Sequence, residues 1–225
     1  MRAALELGTV ADMTTPLTDL ITKTLEGRML LSHPFYRRWE AGELLDGELT
    51  SYAEQYRYFE AYLPVFLGEL AEQLPAGIAR DAVADNLADE AGSPTHLELF
   101  DDFAAHYGAG DAAISPAMRA LLDTYRRLLT LCPTIAVAGL LAYECQGAAI
   151  ADSKADGLKR HYGAPADATA FWSTHGWIEE DHAAWTEAGL VSLHPSDGDV
   201  ALGISVIANA WWDFLTERDA LVGAA

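Results

Sequence analysis

Apolar residues recur every three or four positions along most of the chain, which is the spacing of an amphipathic helix. The first such series runs from Leu17 to Leu30, with Thr15 as the expected N-cap and Pro16 at the first helical position. No stretch alternates apolar and polar residues as a half-buried strand does, and Val and Ile are scarce beside Ala and Leu. The pattern therefore predicts an all-α bundle of about seven to nine helices.

Proline and glycine residues mark the ends of these helices, because neither residue suits a helix interior. No internal repeat, low-complexity segment or linker rich in Gly, Pro or Ser divides the chain. We therefore expect residues 1–225 to form one helical domain, with a loose lead-in over residues 1–13. The predicted helices span residues 17–30, 34–41, 46–74, 78–91, 95–107, 116–131, 133–162, 167–188 and 196–221.

The chain is strongly acidic, with a formal net charge of -20 at pH 7. A protein that binds a phosphate backbone or an anionic membrane needs a basic surface, so we expect no nucleic acid and no membrane partner. The N-terminus lacks a signal-peptide pattern, and no apolar run is expected to reach membrane length. Cys132 and Cys145 have no paired spacing and predict reduced thiols. We expect a cytoplasmic protein.

The clearest chemical signal is the His-x3-Glu-x2-His spacing of His175, Glu179 and His182. Residues at these intervals share one face of a helix over about two turns. Two imidazoles and a carboxylate on one face suit a transition metal such as iron, manganese or zinc. The neighbouring Glu180 and Asp181 fall on the solvent side. A polar stripe that faces solvent is the alternative interpretation, and ligands from other helices would decide against it.

Glu144 is a carboxylate in an apolar helix, in the run from Ala136 to Ile150. No lysine or arginine lies within two turns of it, and an unpaired buried charge is costly. A metal ion would remove this cost, whereas an exposed helix edge would make it irrelevant.

Glu90 and His96 flank the helix break at residues 92–94. Pro94 disfavours helical geometry at Ser93, so the break could turn both side chains toward one point. Asp89, seven residues before His96, is an alternative ligand.

Together these positions give three carboxylates and three histidines on three helical regions. Such a set fits two iron-sized ions better than one zinc ion, which usually takes four ligands, or calcium, which takes oxygen ligands. An open coordination position would then be available for dioxygen. The candidate ligands are Glu90, His96, Glu144, His175, Glu179 and His182.

From about residue 15 onward the chain resembles the haem-oxygenase-like dimetal oxidases, and within them the CADD-like proteins (after Chlamydia protein associating with death domains). The resemblance implies a haem-oxygenase-like or TenA-like helical bundle. Glu179 stands where the family usually has aspartate, the gap from Glu90 to His96 is one residue short, and Phe171 replaces an expected tyrosine. Besides the candidate ligands and Asp89, the resemblance is carried by His33, Pro34, Phe35, Tyr36, Asn86, Leu87, Ala88, Tyr143, Gln146, Ser153 and Lys154.

The resemblance implies synthesis of para-aminobenzoate for folate from the protein's own side chains. Tyr36 would supply the aromatic ring, Lys154 the amino group, and Tyr143 would act beside them. It implies two metal ions, Fe/Fe or Fe/Mn, with dioxygen and a reductant as co-substrates, and one turnover per chain. We expect a homodimer, and the sequence leaves the electron donor open.

The spacing of Tyr143 and Lys154 raises a difficulty, because eleven residues of straight helix span ~16 Å at ~1.5 Å per residue. Either Lys154 reaches back along the bundle or the helix is distorted near Gly147. Alternatively, Lys154 is a solvated residue between Asp152 and Asp156.

Three other functions compete with this hypothesis. A dimetal oxidase acting on a free small amine or acid would use the same six ligands. A TenA-like thiaminase would need no metal, and the region of Cys132 vaguely resembles its nucleophile segment; however, the glutamate expected near Ala208 is missing. A non-enzymatic interaction module is the third alternative.

Overall fold

The computed structural model describes residues 15–221, and the predicted lead-in over residues 1–13 lies outside them. The described part of the chain contains nine α-helices, a short 3-10 helix and no strand, which confirms the predicted all-α fold. The helices are α1 (Leu17–Thr24), α2 (Pro34–Ala41), α3 (Asp46–Gln73), α4 (Ile78–Glu90), α5 (His96–His106), α6 (Pro116–Leu131), α7 (Pro133–His161), α8 (Ala166–Ser192) and α9 (Asp197–Ala220), and the 3-10 helix is Leu30–Ser32.

The first predicted helix is shorter than expected and begins differently. Pro16 is its N-cap, and the Thr15 hydroxyl instead donates to Asp197 Oδ2 on α9 at 2.8 Å. Helix α1 ends at Thr24, and Gly27 has a φ of +72°, in the left-handed region that favours glycine. The apolar period continues through this turn, which is why the sequence predicted one helix to residue 30.

Helix α7 forms the centre of the bundle and packs along α8 and α9. Its crossing with α9 depends on small residues, because a Cβ atom at Gly203 would lie 2.4 Å from the Ile135 carbonyl oxygen. The same close packing occurs at Gly157, where a Cβ atom would lie 2.8 Å from the Trp39 ring of α2. Glycine at these positions therefore brings α2 and α9 against the central helix.

Helix α7 also corrects one expectation. Among the described helices, it alone is long and apolar enough to cross a membrane by length and composition. However, 78% of its most apolar window is buried inside the protein, as in the core helix of a globular bundle. The apolar length of α7 is explained by its central position.

Candidate metal centre

The structure brings the six candidate ligands together in the interior. Glu90 is the last residue of α4 and His96 the first of α5, so the short turn between these helices places both at one end of the group. Helix α7 contributes Glu144, and α8 contributes its three residues from one face, as the helical spacing predicted. Each of the six residues is at most 6% exposed, namely Glu90, His96, Glu144, His175, Glu179 and His182.

Glu90, His96 and His175 form the tightest subset. One donor atom of each lies within 4.8 Å of the others. Atoms that bind one ion at about 2.0–2.2 Å lie within about 4.4 Å of one another, so this spacing is close to that of a ligand set. His96 Nδ1 lies 2.9 Å from Glu90 Oε2, yet neither atom has a hydrogen-bond partner. Two acceptors that approach without a hydrogen bond are compatible with a shared cation.

His175 is held in the tautomer that a metal ligand needs. Its Nδ1 atom lies 2.8 Å from the Phe171 carbonyl oxygen, which can only accept, so Nδ1 carries the proton and Nε2 keeps its lone pair. Burial lowers the pKa of His175 well below its ordinary value, and a charge on His96 would lower it further. The ring is therefore neutral. Phe171 packs against this ring with centroids 4.0 Å apart.

His182 links the buried group to Asp89. Its Nε2 atom lies 3.3 Å from Asp89 Oδ2, and its Nδ1 atom faces Glu179 Oε2 at 4.0 Å. The Asp89 side chain is 47% exposed, whereas that of Glu90 is 2% exposed. Of the two acidic residues that the sequence offered here, Glu90 thus lies inside the group and Asp89 supports the outer side of His182.

Glu144 and Glu179 complete the group with carboxylates that repel each other. Asn86 Nδ2 donates to Glu144 Oε1 at 2.5 Å, while Glu144 Oε2 has no hydrogen-bond partner. Burial raises the pKa of Glu144 to about 8, although Thr186 and Asn86 oppose the shift. Burial also raises the pKa of Glu179, and the charge of Glu144 adds to the effect. Both carboxyl groups would be stabilised as anions by a cation.

Gly147 provides the space for Glu179. A Cβ atom at this position would lie 2.5 Å from Glu179 Oε2 and 2.7 Å from its Cδ atom. Helix α7 runs unbroken through Gly147, so the glycine does not distort the helix. Its missing side chain instead leaves room for the Glu179 carboxylate.

Sequence reasoning missed Glu60, on α3. This side chain is 3% exposed and lines the same cavity as five of the candidate ligands. Glu60 follows Tyr56 by four residues and Tyr52 by eight, so it lies on the core-facing stripe of α3, a signal that was available in the sequence. We call this space the polar cavity; it is lined by Glu60, Glu90, Glu144, His175, Glu179 and His182, with Tyr56 and Tyr143 among its other walls.

The polar cavity fits a metal centre because its acceptors lack donors. Buried acceptors without partners are rare and costly in folded proteins. Cations would satisfy several of them at once, and carboxylate oxygen with imidazole nitrogen is a donor set that suits iron or manganese. The buried atoms without a hydrogen-bond partner around this site are Glu60 Oε2, Glu90 Oε2, His96 Nδ1, Glu144 Oε2 and Glu179 Oε2.

Lys154 is 1% exposed, so the interpretation that it is solvated is wrong. Its Nζ atom donates to the Tyr52 hydroxyl at 2.6 Å. Burial lowers the pKa of Lys154 well below its ordinary value of 10.5, although the charge of Glu60 opposes the shift. Five rings have their centroids between 3.9 and 5.8 Å from Nζ; we call them the aromatic cage, made of Tyr36, Trp39, Tyr52, Tyr56 and Trp172.

Tyrosines of α3 connect the aromatic cage to the polar cavity. The Tyr36 and Tyr52 hydroxyls lie 3.1 Å apart, and those of Tyr56 and Tyr143 lie 2.6 Å apart. The Tyr52 and Tyr56 rings stack with centroids 5.2 Å apart. Tyr56 and Tyr143 line the polar cavity, and Tyr36 does not. The eleven-residue gap between Tyr143 and Lys154 is therefore bridged by a neighbouring helix, while α7 stays regular.

Comparison with known proteins identifies the family. A family model described as iron-containing redox enzyme matches residues 50–212. The chain belongs to this family. Among curated relatives of this iron-containing redox enzyme, the 4-aminobenzoate synthase of Chlamydia pneumoniae is 29% identical over 208 residues, which cover 88% of this chain and 92% of the relative.

Solved structures share the fold of this iron-containing redox enzyme. A CADD-like protein from Nostoc punctiforme has a TM-score of 0.74 at 20% identity, covering 90% of this chain and 96% of that one. A TenA homologue from Pseudomonas syringae has a TM-score of 0.79 at 12% identity, covering 98% of each chain. The haem-oxygenase-like and TenA-like architecture predicted from the sequence is confirmed.

Proposed function

We propose that this chain is a dimetal oxidase that makes 4-aminobenzoate (para-aminobenzoate) from its own tyrosine and lysine side chains. The observation that carries the proposal is the amine of Lys154, buried among tyrosine rings beside a cavity suited to metal ions. The activity named for the curated relatives supports it. The homodimer and the cytoplasmic location stay predictions, and the electron donor is left open.

The ligands would divide into two groups around the polar cavity. Glu90, His96 and His175 would hold one ion, because their donor atoms are already close together. Glu144, Glu179 and His182 would hold the second. Two iron ions, or iron and manganese, would supply oxidising power when dioxygen and a reductant are present.

The tyrosines would carry oxidation from the polar cavity to Tyr36. Burial raises the pKa of Tyr36, so its phenol is protonated and must lose a proton together with an electron. The Tyr52 hydroxyl, 3.1 Å away, can take part in that proton transfer. The stacked Tyr52 and Tyr56 rings and the Tyr56–Tyr143 hydroxyl contact complete the route to the cavity wall.

Lys154 is placed to supply nitrogen. Burial lowers the pKa of its amine, which favours the neutral form with a free lone pair, and Nζ lies 4.7 Å from the centroid of the Tyr36 ring. Converting a tyrosine side chain into 4-aminobenzoate requires cleavage of the Cα–Cβ bond, oxidation of Cβ to a carboxylate, and replacement of the phenol oxygen by nitrogen. Dioxygen would be the oxidant. Nζ of Lys154 would condense with the oxidised ring carbon, the phenol oxygen would leave as water, and the Cε–Nζ bond would break on hydrolysis as Cε becomes an aldehyde.

The small size of the polar cavity favours an internal substrate. Its volume is about 10 Å³. Such a space holds one water molecule at most, and no free aromatic acid or amine fits beside the ligands. An oxidase that acts on free substrates would need a larger pocket at this position. Each chain that consumes Tyr36 would act once.

The test is product formation without any added aromatic substrate. Metal-loaded protein supplied with dioxygen and a reductant should release at most one 4-aminobenzoate per chain, and tyrosine ring label should appear in the product. Tyr36→Phe and Lys154→Arg should both abolish the product while metal content is unchanged, since phenylalanine lacks the phenol and arginine has no transferable primary amine.

Tyr58→Phe is the matched control, because Tyr58 lies outside the aromatic cage and its hydroxyl donates only to the Ala112 carbonyl oxygen. This variant should make as much product as the parent. Many turnovers on a free substrate, with Tyr36 and Lys154 both dispensable, would establish a conventional oxidase instead.

A further inference from the structure

Glu60 belongs to the polar cavity but comes from a helix that contributes none of the six predicted ligands. Helix α3 carries it at a position that is 3% exposed. Its Oε2 atom is buried and has no hydrogen-bond partner. Because the side chain lines the cavity beside Glu90 and Glu144, this free acceptor adds to the unpaired acceptors of the predicted ligands.

No protein cation neutralises Glu60. Within residues 15–221, no lysine, arginine or histidine forms an ion pair with it within 4.0 Å. The Tyr56 hydroxyl hydrogen-bonds to the carboxylate, and Lys154 acts on it only at longer range. The nearby charge of Glu90 repels it. The protein therefore places a fourth carboxylate in this cavity without providing its counter-charge.

The charges of a two-ion centre explain the fourth carboxylate. Three carboxylates, from Glu90, Glu144 and Glu179, leave one positive charge on two divalent ions. A net charge in a buried site is costly. Glu60 would bring the centre to neutrality.

We propose that Glu60 is a further ligand of the metal centre and binds through Oε2. This inference rests on the proposed function, since it requires a metal in the polar cavity. It makes α3 the fifth helix that supplies a donor. Tyr56 and Tyr52 lie one and two turns before Glu60 on α3, so the same helix would join the metal centre to the aromatic cage.

The experiment is an anaerobic titration of the metal-free full-length chain with Fe(II), and in parallel with Mn(II), comparing Glu60→Gln with the parent. Glutamine keeps the shape and removes the charge. The parent should bind two ions, and Glu60→Gln should bind one, or bind the second at least about tenfold more weakly, a change of about 1.4 kcal/mol. Glu69→Gln, an exposed glutamate on the same helix, is the matched control and should bind like the parent.

Thermal unfolding separates a ligand from a structural residue. Removing a carboxylate that repels its neighbours should leave the Tm of the metal-free Glu60→Gln protein equal to or above that of the parent. The rise in Tm on adding metal should be smaller in Glu60→Gln than in the parent, because a metal that binds more weakly stabilises the folded state less. A structural role predicts the reverse, with a lower metal-free Tm and an unchanged rise.

The outcomes distinguish this inference from the proposed function. Equal stoichiometry and affinity in Glu60→Gln and the parent would overturn the role of Glu60 and leave the dimetal oxidase intact. A parent that binds no ion would overturn both. If Glu60→Gln does not fold, Glu60→Asp serves the same comparison, because it keeps the charge and shortens the reach; unchanged affinity would again count against a ligand.

Discussion

The polar cavity and the aromatic cage are adjacent buried regions rich in ionisable groups, yet their polar atoms are satisfied in different ways. In the aromatic cage the groups pair with one another: Lys154 donates to Tyr52, and Tyr52 hydrogen-bonds to Tyr36. In the polar cavity, buried oxygens of Glu90, Glu144 and Glu179 have no partner. Within the cage only the Trp172 indole Nε1 atom has no partner, whereas in the cavity several carboxylate oxygens would be satisfied by an added cation.

The two regions have similar pKa shifts without metal and would differ once metal is bound. Burial raises the pKa of Glu144 and Glu179 and lowers that of Lys154, so without metal both regions favour uncharged groups. Metal ions would reverse this preference in the polar cavity only. The amine in the aromatic cage would stay neutral. This division suits a protein in which one region holds the oxidising centre and the other holds the groups to be oxidised.

The largest expected effect separates two acidic residues of α8. Glu179 is 6% exposed and lines the polar cavity, whereas Asp181 is exposed. Glu179→Ala should lose at least one bound ion and all oxygen-dependent product, because it removes a buried donor. Asp181→Ala should keep the bound metal and the yield of product within about twofold of the parent, because surface substitutions have small effects. Metal analysis and product per chain are the measurements.

The opposite result, with Asp181 essential and Glu179 dispensable, would show that the polar cavity is not the metal centre. The contrast between the two regions would then lose its functional meaning.

A second prediction concerns pH and the metal-free polar cavity. The pKa of Glu144 is about 8 in the folded protein and ordinarily 4.5, so between these values the folded state keeps a proton that the unfolded state has lost. This carboxyl therefore lowers the free energy of unfolding as pH rises from 4.5 to about 8, by at most about 1.4 kcal/mol per pH unit. Glu144→Gln should remove that contribution.

Urea unfolding of both proteins across this pH range, without metal, measures the difference in slope. Glu180→Gln, at an exposed position on α8, is the control and should keep the slope of the parent. Saturation with metal should make the slope of the parent equal to that of Glu144→Gln, because bound cations hold the carboxylate in its charged form. A slope that is equal in Glu144→Gln and the parent would contradict the raised pKa of this buried carboxyl.

The sequence predicted the fold well because helix period and helix ends are local properties. The six candidate ligands stood out for a similar reason: they are polar groups in apolar helices, at helical spacing, or beside a break. Whether they bind metal stays a prediction. The cage was harder to foresee, since Lys154 is flanked by the exposed Asp152 and Asp156 and is buried only because α2, α3 and α8 cover it.

Glu60 was missed because its surroundings are set by packing between helices distant in sequence. Its neighbours Glu90 and Glu144 lie on α4 and α7. The end of α1 was misplaced for a related reason: the Leu30 amide donates to the Gln146 side chain of α7, a contact of 2.8 Å across 116 residues. A local pattern contains no information about such partners.

The smallest predicted effect tests how closely the polar cavity is fitted to its ligands. Gly147→Ala would place a Cβ atom 2.5 Å from Glu179 Oε2 and 2.7 Å from its Cδ atom, so the buried carboxylate would have to shift. We expect a loss of about 1–3 kcal/mol in the free energy of unfolding and weaker metal binding. Glu179→Asp in the same chain should restore much of both, because the shorter side chain leaves room for the methyl group. A double-mutant cycle should give a coupling of about 0.5–3 kcal/mol, measured by urea unfolding.

Gly47→Ala, on α3 with open space around it, is the control and should be nearly neutral. Additive effects of the two substitutions would mean that Gly147 and Glu179 do not share this space in solution, and that the glutamate at position 179 needs another explanation.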